Sequence, residues 1–250
     1  MSTLTALSVT EGKLYAREWG MLVFAFAFPP LMMVILAGVF AGEGFDEVWG
    51  ATGGTDYYIA SYLGIPLASV ALTGLPVMLA SYRELGILRR FEVSGVKATT
   101  VVTAQALVGL ATVALGAVLV LAVAAPVYGV PAIEDPLGVL VVLALGSGAM
   151  LTLGVALGLA LRTSRAANAI GMLLFLPMFI LGGGGPPAGV MTSAMSNVAD
   201  LMPLTHITEG LRQAWLFGDL QATELLWLAG WWAVALALVA LVARTRRSFQ

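Results

Sequence analysis

The chain is expected to be an all-α, polytopic membrane protein with six transmembrane helices, both termini cytoplasmic, and short re-entrant helices before the last span. Three observations point to spans. Of 250 residues, 60% are hydrophobic and 10% charged, with a mean hydropathy of +0.96. Ordinary globular domains carry about 25% charged residues, so this chain has too few to cover a water-facing surface. Its apolar residues also gather in runs at or near the roughly 20 that cross a bilayer as a helix. Finally, its basic residues segregate to one side once those runs are taken as spans. A soluble enzyme, a nucleic-acid-binding module and a disordered regulator are excluded.

The six runs lie at about 21–41, 57–80, 101–125, 137–161, 166–182 and 224–243. A helix is the open-chain structure that satisfies its own backbone hydrogen bonds in lipid. Lys13 and Arg17 precede the first run, and Arg83, Arg89, Arg90 and Lys97 fill the gap between the second and third. Arg162 and Arg165 separate the fourth and fifth; Arg244, Arg246 and Arg247 follow the sixth. Eleven of the 12 basic residues therefore share one side if the spans alternate. The other side holds Arg212 against ten acids: Glu43, Asp46, Glu47, Asp56, Glu134, Asp135, Asp200, Glu209, Asp219 and Glu224. The positive-inside rule places the basic side in the cytoplasm.

Residues 1–20 carry Leu4, Leu7 and Leu14 beside Lys13, Arg17 and Trp19, the pattern of a short helix lying on the inner surface. The run that follows is longer than a signal-peptide core, so it is expected to be retained as a span. The 26 charged residues fall in loops or at span ends. The spans offer neutral polar groups such as Ser69, Thr73, Ser147 and Asn168, most of them expected to be helix-packing contacts. Without a mid-membrane charge, ion coupling lacks its usual group. No phosphate-binding G-x-x-x-x-G-K-[ST] loop exists either, so this chain carries no ATPase motif of its own. One histidine and no cysteine cannot build the usual ligand set of a metal site.

Between the second and third runs the sequence reads Arg83-Glu84-Leu85-Gly86-Ile87-Leu88-Arg89-Arg90. On physics alone this is a basic connector hugging anionic lipid. In residue order it resembles the cytoplasmic signature of type-2 ATP-binding-cassette (ABC-2) permeases, with Gly95 where that family places a proline. A second stretch resembles the same family. Span five carries Pro177 and ends in four glycines from Gly182, then Pro186-Pro187; a run from Pro203 through His206 and Glu209 to Leu211-Arg212 follows. Met191, Met195, Val198 and Met202 repeat at helical spacing between them, a stripe expected to be packing. His206, Glu209 and Arg212 lie three apart on one helical face, where a local salt bridge holding the turn is the expected role.

The resemblance implies one transmembrane domain over 1–250, with a coupling segment at 83–97 and an external re-entrant region at 183–220. It implies that Arg83, Glu84, Gly86, Leu88, Arg89 and Arg90 contact a separate cytoplasmic ATPase that binds ATP and Mg, with no cofactor in this chain. It further implies a second permease subunit, identical or homologous, no nucleic-acid partner, and location in a bacterial cytoplasmic membrane. Gly182, Pro186, Pro203, His206, Glu209 and Arg212 become an external gate, and Ser69, Thr73, Asn168 and Met178 candidates for a substrate path. The expected function is export of a hydrophobic or amphipathic compound, in the manner of the family's drug-resistance branch. Two alternatives stand beside it: an intramembrane serine protease using Ser147 and His206, and a passive channel or carrier.

Overall fold

The computed structural model describes residues 3–41 and 53–247. The acids Glu43, Asp46 and Glu47, assigned above to the first outer loop, lie outside the described residues, as do residues 1–2 and 248–250. The described residues are mainly helical, without strands. Six helices are long and apolar enough to span a membrane: Val23–Phe40, Gly54–Glu84, Ala98–Tyr128, Pro136–Ala160, Ser164–Gly184 and Ala222–Arg244. Short helices at Thr3–Tyr15, Ile87–Val93, Ser193–Ala199 and Pro203–Arg212 join them. The second and third spans, at 31 residues each, are longer than their apolar runs, because each continues past the hydrophobic stretch. At one end lie Lys13, Arg17, Arg83, Arg89, Arg90, Lys97, Arg162 and Arg165, the basic end; at the other lie Glu134, Asp135, Asp200 and Asp219, the acidic end.

Span two is the centre of the bundle. It is almost wholly enclosed, with Ile59, Ile65, Leu67, Leu72 and Leu79 fully buried, whereas span six shows most of its apolar surface. Proline shapes it. Pro76 has no N–H for the carbonyl of Leu72, one turn back, and the helix widens to a five-residue π turn over Val70–Gly74. In span one the pair Pro29-Pro30 follows a similar wide turn, Val23–Ala27, and Pro29 leaves the Ala25 carbonyl without its helical donor.

Glycines of neighbouring spans cover those carbonyls. A Cβ built on Gly171 of span five would stand 2.0 Å from the Leu72 oxygen. One on Gly116 of span three would stand 3.0 Å from the Ala25 oxygen and 2.8 Å from Pro66. Gly154 of span four meets the Ala71 oxygen in the same way, at 2.3 Å. Only a residue without a side chain brings its Cα–H against a carbonyl at this range, a contact worth about 0.5–1 kcal/mol. Spans three, four and five are thus registered on the wide turns of spans one and two.

The helix Pro203–Arg212 folds back into the bundle, burying Leu204, Ile207 and Leu211 completely. Ile207 meets Gly146, ten residues into span four, and a Cβ there would lie 2.8 Å from Ile207. Ten helical residues cover about 15 Å, roughly half a hydrocarbon core. This segment is therefore re-entrant relative to span four. The preceding helix differs from expectation: Met195 and Val198 of the methionine stripe are about half exposed, because Ser193–Ala199 rides on the rim and only Met202 packs against the core.

The glycine contacts fix a test. Gly171→Leu is expected to destabilise the bundle by about 1–3 kcal/mol or more through overpacking. Gly230→Ala, in span six with nothing within 4 Å of the new methyl, is expected to leave it unchanged or slightly stabilised. Thermal unfolding of the detergent-purified variants separates the two.

Candidate functional site

At the basic end, span two stops at Glu84 and turns through Leu85-Gly86 into the helix Ile87–Val93. Gly86 holds φ at +68°, a left-handed conformation that glycine adopts without strain. Nothing lies within 4 Å of a Cβ built there, so within this chain the requirement is the turn itself rather than close packing. Leu88 packs with Ile87 and Phe91 on an apolar cluster of Leu7, Tyr82, Val101 and Ala104. The side chains that face outward from this segment are Arg89, Arg90, Leu85 and Val93.

Arg83 and Glu84 are both engaged inside the chain. Arg83 Nη1 donates to the carbonyls of Leu159 and Leu161 at 2.6 Å each, and to Gly158 at 3.3 Å. These are carbonyls at the C-terminal end of span four, where a cation satisfies both hydrogen-bonding need and helix dipole. Glu84 Oε2 accepts from the backbone N–H of Ser164 at 2.9 Å and its hydroxyl at 3.0 Å, at the N-terminus of span five. The two residues therefore bind the corner between spans four and five to the end of span two.

One residue of this end was invisible to motif reading. Glu11, in Thr3–Tyr15, is buried; Tyr82 donates to both its carboxylate oxygens at 3.0 Å and Gln105 Nε2 to one at 3.3 Å. No ion pair with Glu11 exists among the described residues, and burial raises its pKa above the usual carboxylate value against the lowering effect of those bonds. Its signal was its place four residues after Leu7, on the buried face of that helix.

Beside this corner, spans one, two and five enclose a cavity of about 500 Å³. Its lining includes Glu18, Phe24, Thr73, Ser81, Asn168 and Met172. Thr73 and Asn168 of the expected substrate path are thus brought together. Ser69, one turn along from Thr73, is buried with its hydroxyl unpaired, and its carbonyl accepts from Thr73 Oγ1 at 2.7 Å. Met178 lies in the core among Phe175 and Phe179, away from this lining.

At the acidic end, span five closes in a wide turn and leaves the helix at Gly183, with φ +89°. A Cβ there would lie 2.6 Å from Thr208 Oγ1 and 3.0 Å from Arg212 Nη1. The carbonyls of the glycine run are held by side chains: Thr208 donates to Gly182 at 2.8 Å, Tyr62 to Gly184 at 2.6 Å and Tyr58 to Gly185 at 3.0 Å. Pro186 and Pro187 then carry the chain out of the helix, and Pro203 begins the re-entrant helix at its first position, where the missing N–H costs nothing.

Arg212 is buried there. It pairs with Glu209, donates to Ser61 Oγ at 2.7 Å and sits 4.2 Å from the centre of the Tyr57 ring. The re-entrant helix thus buries a charge against Ser61 and Tyr57 of span two, outside the six spans themselves. His206 departs from the Glu209–Arg212 pair. Its Nδ1 lies 2.8 Å from Glu224 Oε2 and its Nε2 2.8 Å from the Asp200 carbonyl, with the ring stacked on Trp227. The pairings of Tyr58, Ser61, Tyr62 and Glu224 escaped sequence reading because their partners lie on other elements.

The protease alternative finds no support. Both ring nitrogens of His206 are taken by other groups, while Ser147 faces a groove of spans three and four with Thr103 and Thr152.

A six-span helical bundle with a re-entrant helix at its acidic end and a clasped turn at its basic end has the architecture of a multi-pass membrane domain. The family profile of ABC-2 type transporters matches residues 3–216, and the chain belongs to that family. A comparison with curated proteins gives no match. The chain is thus a multi-pass membrane permease subunit of an ABC transporter, and the family implies an ABC ATPase as partner.

Glu11 supplies a pH test. A carboxyl with its folded pKa raised contributes most to stability below its unfolded pKa, and the contribution is lost as pH rises through the folded value. Glu11→Gln is expected to flatten this loss: its unfolding temperature, relative to the unsubstituted protein, rises from mildly acidic pH toward neutrality. A constant difference between the two across that range contradicts the assignment.

Proposed function

We propose that this permease exports a hydrophobic or amphipathic compound by alternating access, driven by ATP and Mg bound on the separate ATPase. The basic end is taken as cytoplasmic, which puts both termini there, and the membrane as a bacterial plasma membrane. A second copy, or a homologous chain, completes the translocation path. In this reading the transporter resembles the drug-resistance branch of its family.

One observation carries the reading: the cavity of spans one, two and five opens beside the clasp that Arg83 and Glu84 make. Ser164 belongs to both, donating to Glu84 and lining the cavity. A push on Ile87–Val93 by the ATPase, received by Arg89, Arg90 and the exposed Leu85 and Val93, passes through this clasp to spans four and five. The cavity then closes inward while the glycine break at the acidic end opens. In this scheme Arg83 and Glu84 position the segment, and Gly86 lets it turn. Gly182, Pro186, Pro203, His206, Glu209 and Arg212 form the outer gate.

The Glu84→Ala, Gly86→Leu double variant tests this coupling in the reconstituted complex with its ATPase. The expected outcome is normal membrane insertion, with export abolished and ATP hydrolysis no longer stimulated by substrate. Stimulated hydrolysis and export at the unsubstituted level contradict it.

A further inference from the structure

We infer that the inner cavity is selective for organic cations carrying an apolar body, with Glu18 as the residue that reads the charge. The inference rests on the transport reading above and adds the charge class of the cargo.

The lining has one charged side chain, and it is acidic. Glu18 faces the cavity beside the hydroxyls of Thr73, Ser81 and Ser164 and the amide of Asn168, while Phe24, Val77, Met78 and Met172 supply the apolar wall. No lysine, arginine or histidine lines it. This is notable at an end of the molecule rich in basic residues. Arg83 is turned to the span-four carbonyls, away from the lining.

Glu18 is held in place by its backbone: its N–H donates to the Tyr15 carbonyl at 3.1 Å, and its carbonyl accepts from Leu22 at 3.1 Å. That holds the backbone of Glu18 at the joint between the N-terminal helix and span one. No ion pair to its side chain occurs among the described residues. A carboxylate at the mouth of a low-dielectric cavity concentrates cations and repels anions. Elsewhere in the lining, the Phe24 ring and the thioethers of Met78 and Met172 suit a positive head with apolar substituents, and the methionines adapt to its shape. The neutral hydroxyls and amide accept or donate without opposing that charge.

The isosteric pair tetraphenylphosphonium and tetraphenylborate separates charge from size. Binding of each to the purified chain in phosphatidylcholine nanodiscs is measured against empty nanodiscs, for the unsubstituted protein, Glu18→Gln and Asn168→Trp. Asn168 is exposed to the cavity, so the indole fills space without disturbing the core. Expected is saturable binding of the cation in excess of the anion, weakened roughly fivefold by Glu18→Gln, as for a partly solvated ion pair, and lost in Asn168→Trp. Equal binding of the two ions that Asn168→Trp still removes, or cation binding unchanged in Glu18→Gln, overturns the charge selectivity and leaves the cavity as the transport site. Saturable binding of neither ion, or binding indifferent to Asn168→Trp, overturns the cavity as a cargo site and the inference with it.

Discussion

Two carbonyls stripped of their helical donors by proline govern how this bundle packs. Leu72, below Pro76, and Ala25, below Pro29, would be exposed polar groups in a lipid-facing helix, where water offers no replacement. Gly171 and Gly116 stand against them so closely that any side chain would be excluded. The prolines thus widen the helices, and the glycines of adjacent spans both cover the defect and fix the register. Without a hydrophobic force between helices in lipid, such close backbone approach is what holds spans together.

This constraint explains why span two organises both ends. Its acidic-end residues Tyr57, Tyr58, Ser61 and Tyr62 hold the glycine break and the buried Arg212; its basic-end residues Tyr82, Arg83 and Glu84 hold the N-terminal helix and the corner of spans four and five. Between them lie the break at Leu63-Gly64 and the wide turn at Val70–Gly74. A segment anchored at its ends and irregular in the middle has discrete places at which to bend. Wide π turns of this kind are frequent at functional sites.

Much of the fold was legible because bilayer crossing demands long apolar runs and the flanking charges sort them. The six spans and the glycine break followed from local sequence. Pairings between distant segments did not. Glu84 is exposed, and only the fold shows that Ser164, 80 positions on, donates to it. Leu88 packs on the cluster that contains Leu7, a contact its place in the motif does not show. His206 was grouped with Glu209 and Arg212 by helical spacing, yet Glu224 at the start of span six claims it. Spacing along one helix shows which side chains share a face. It does not show what another element brings to that face.

The central claim is that this chain moves cargo only when a companion ATPase works its inner end. The most direct measurement is accumulation of tetraphenylphosphonium in inverted vesicles holding the chain with or without an ABC ATPase. Accumulation that requires both the ATPase and hydrolysable ATP is the expected result. Equal accumulation by the chain alone would contradict the account.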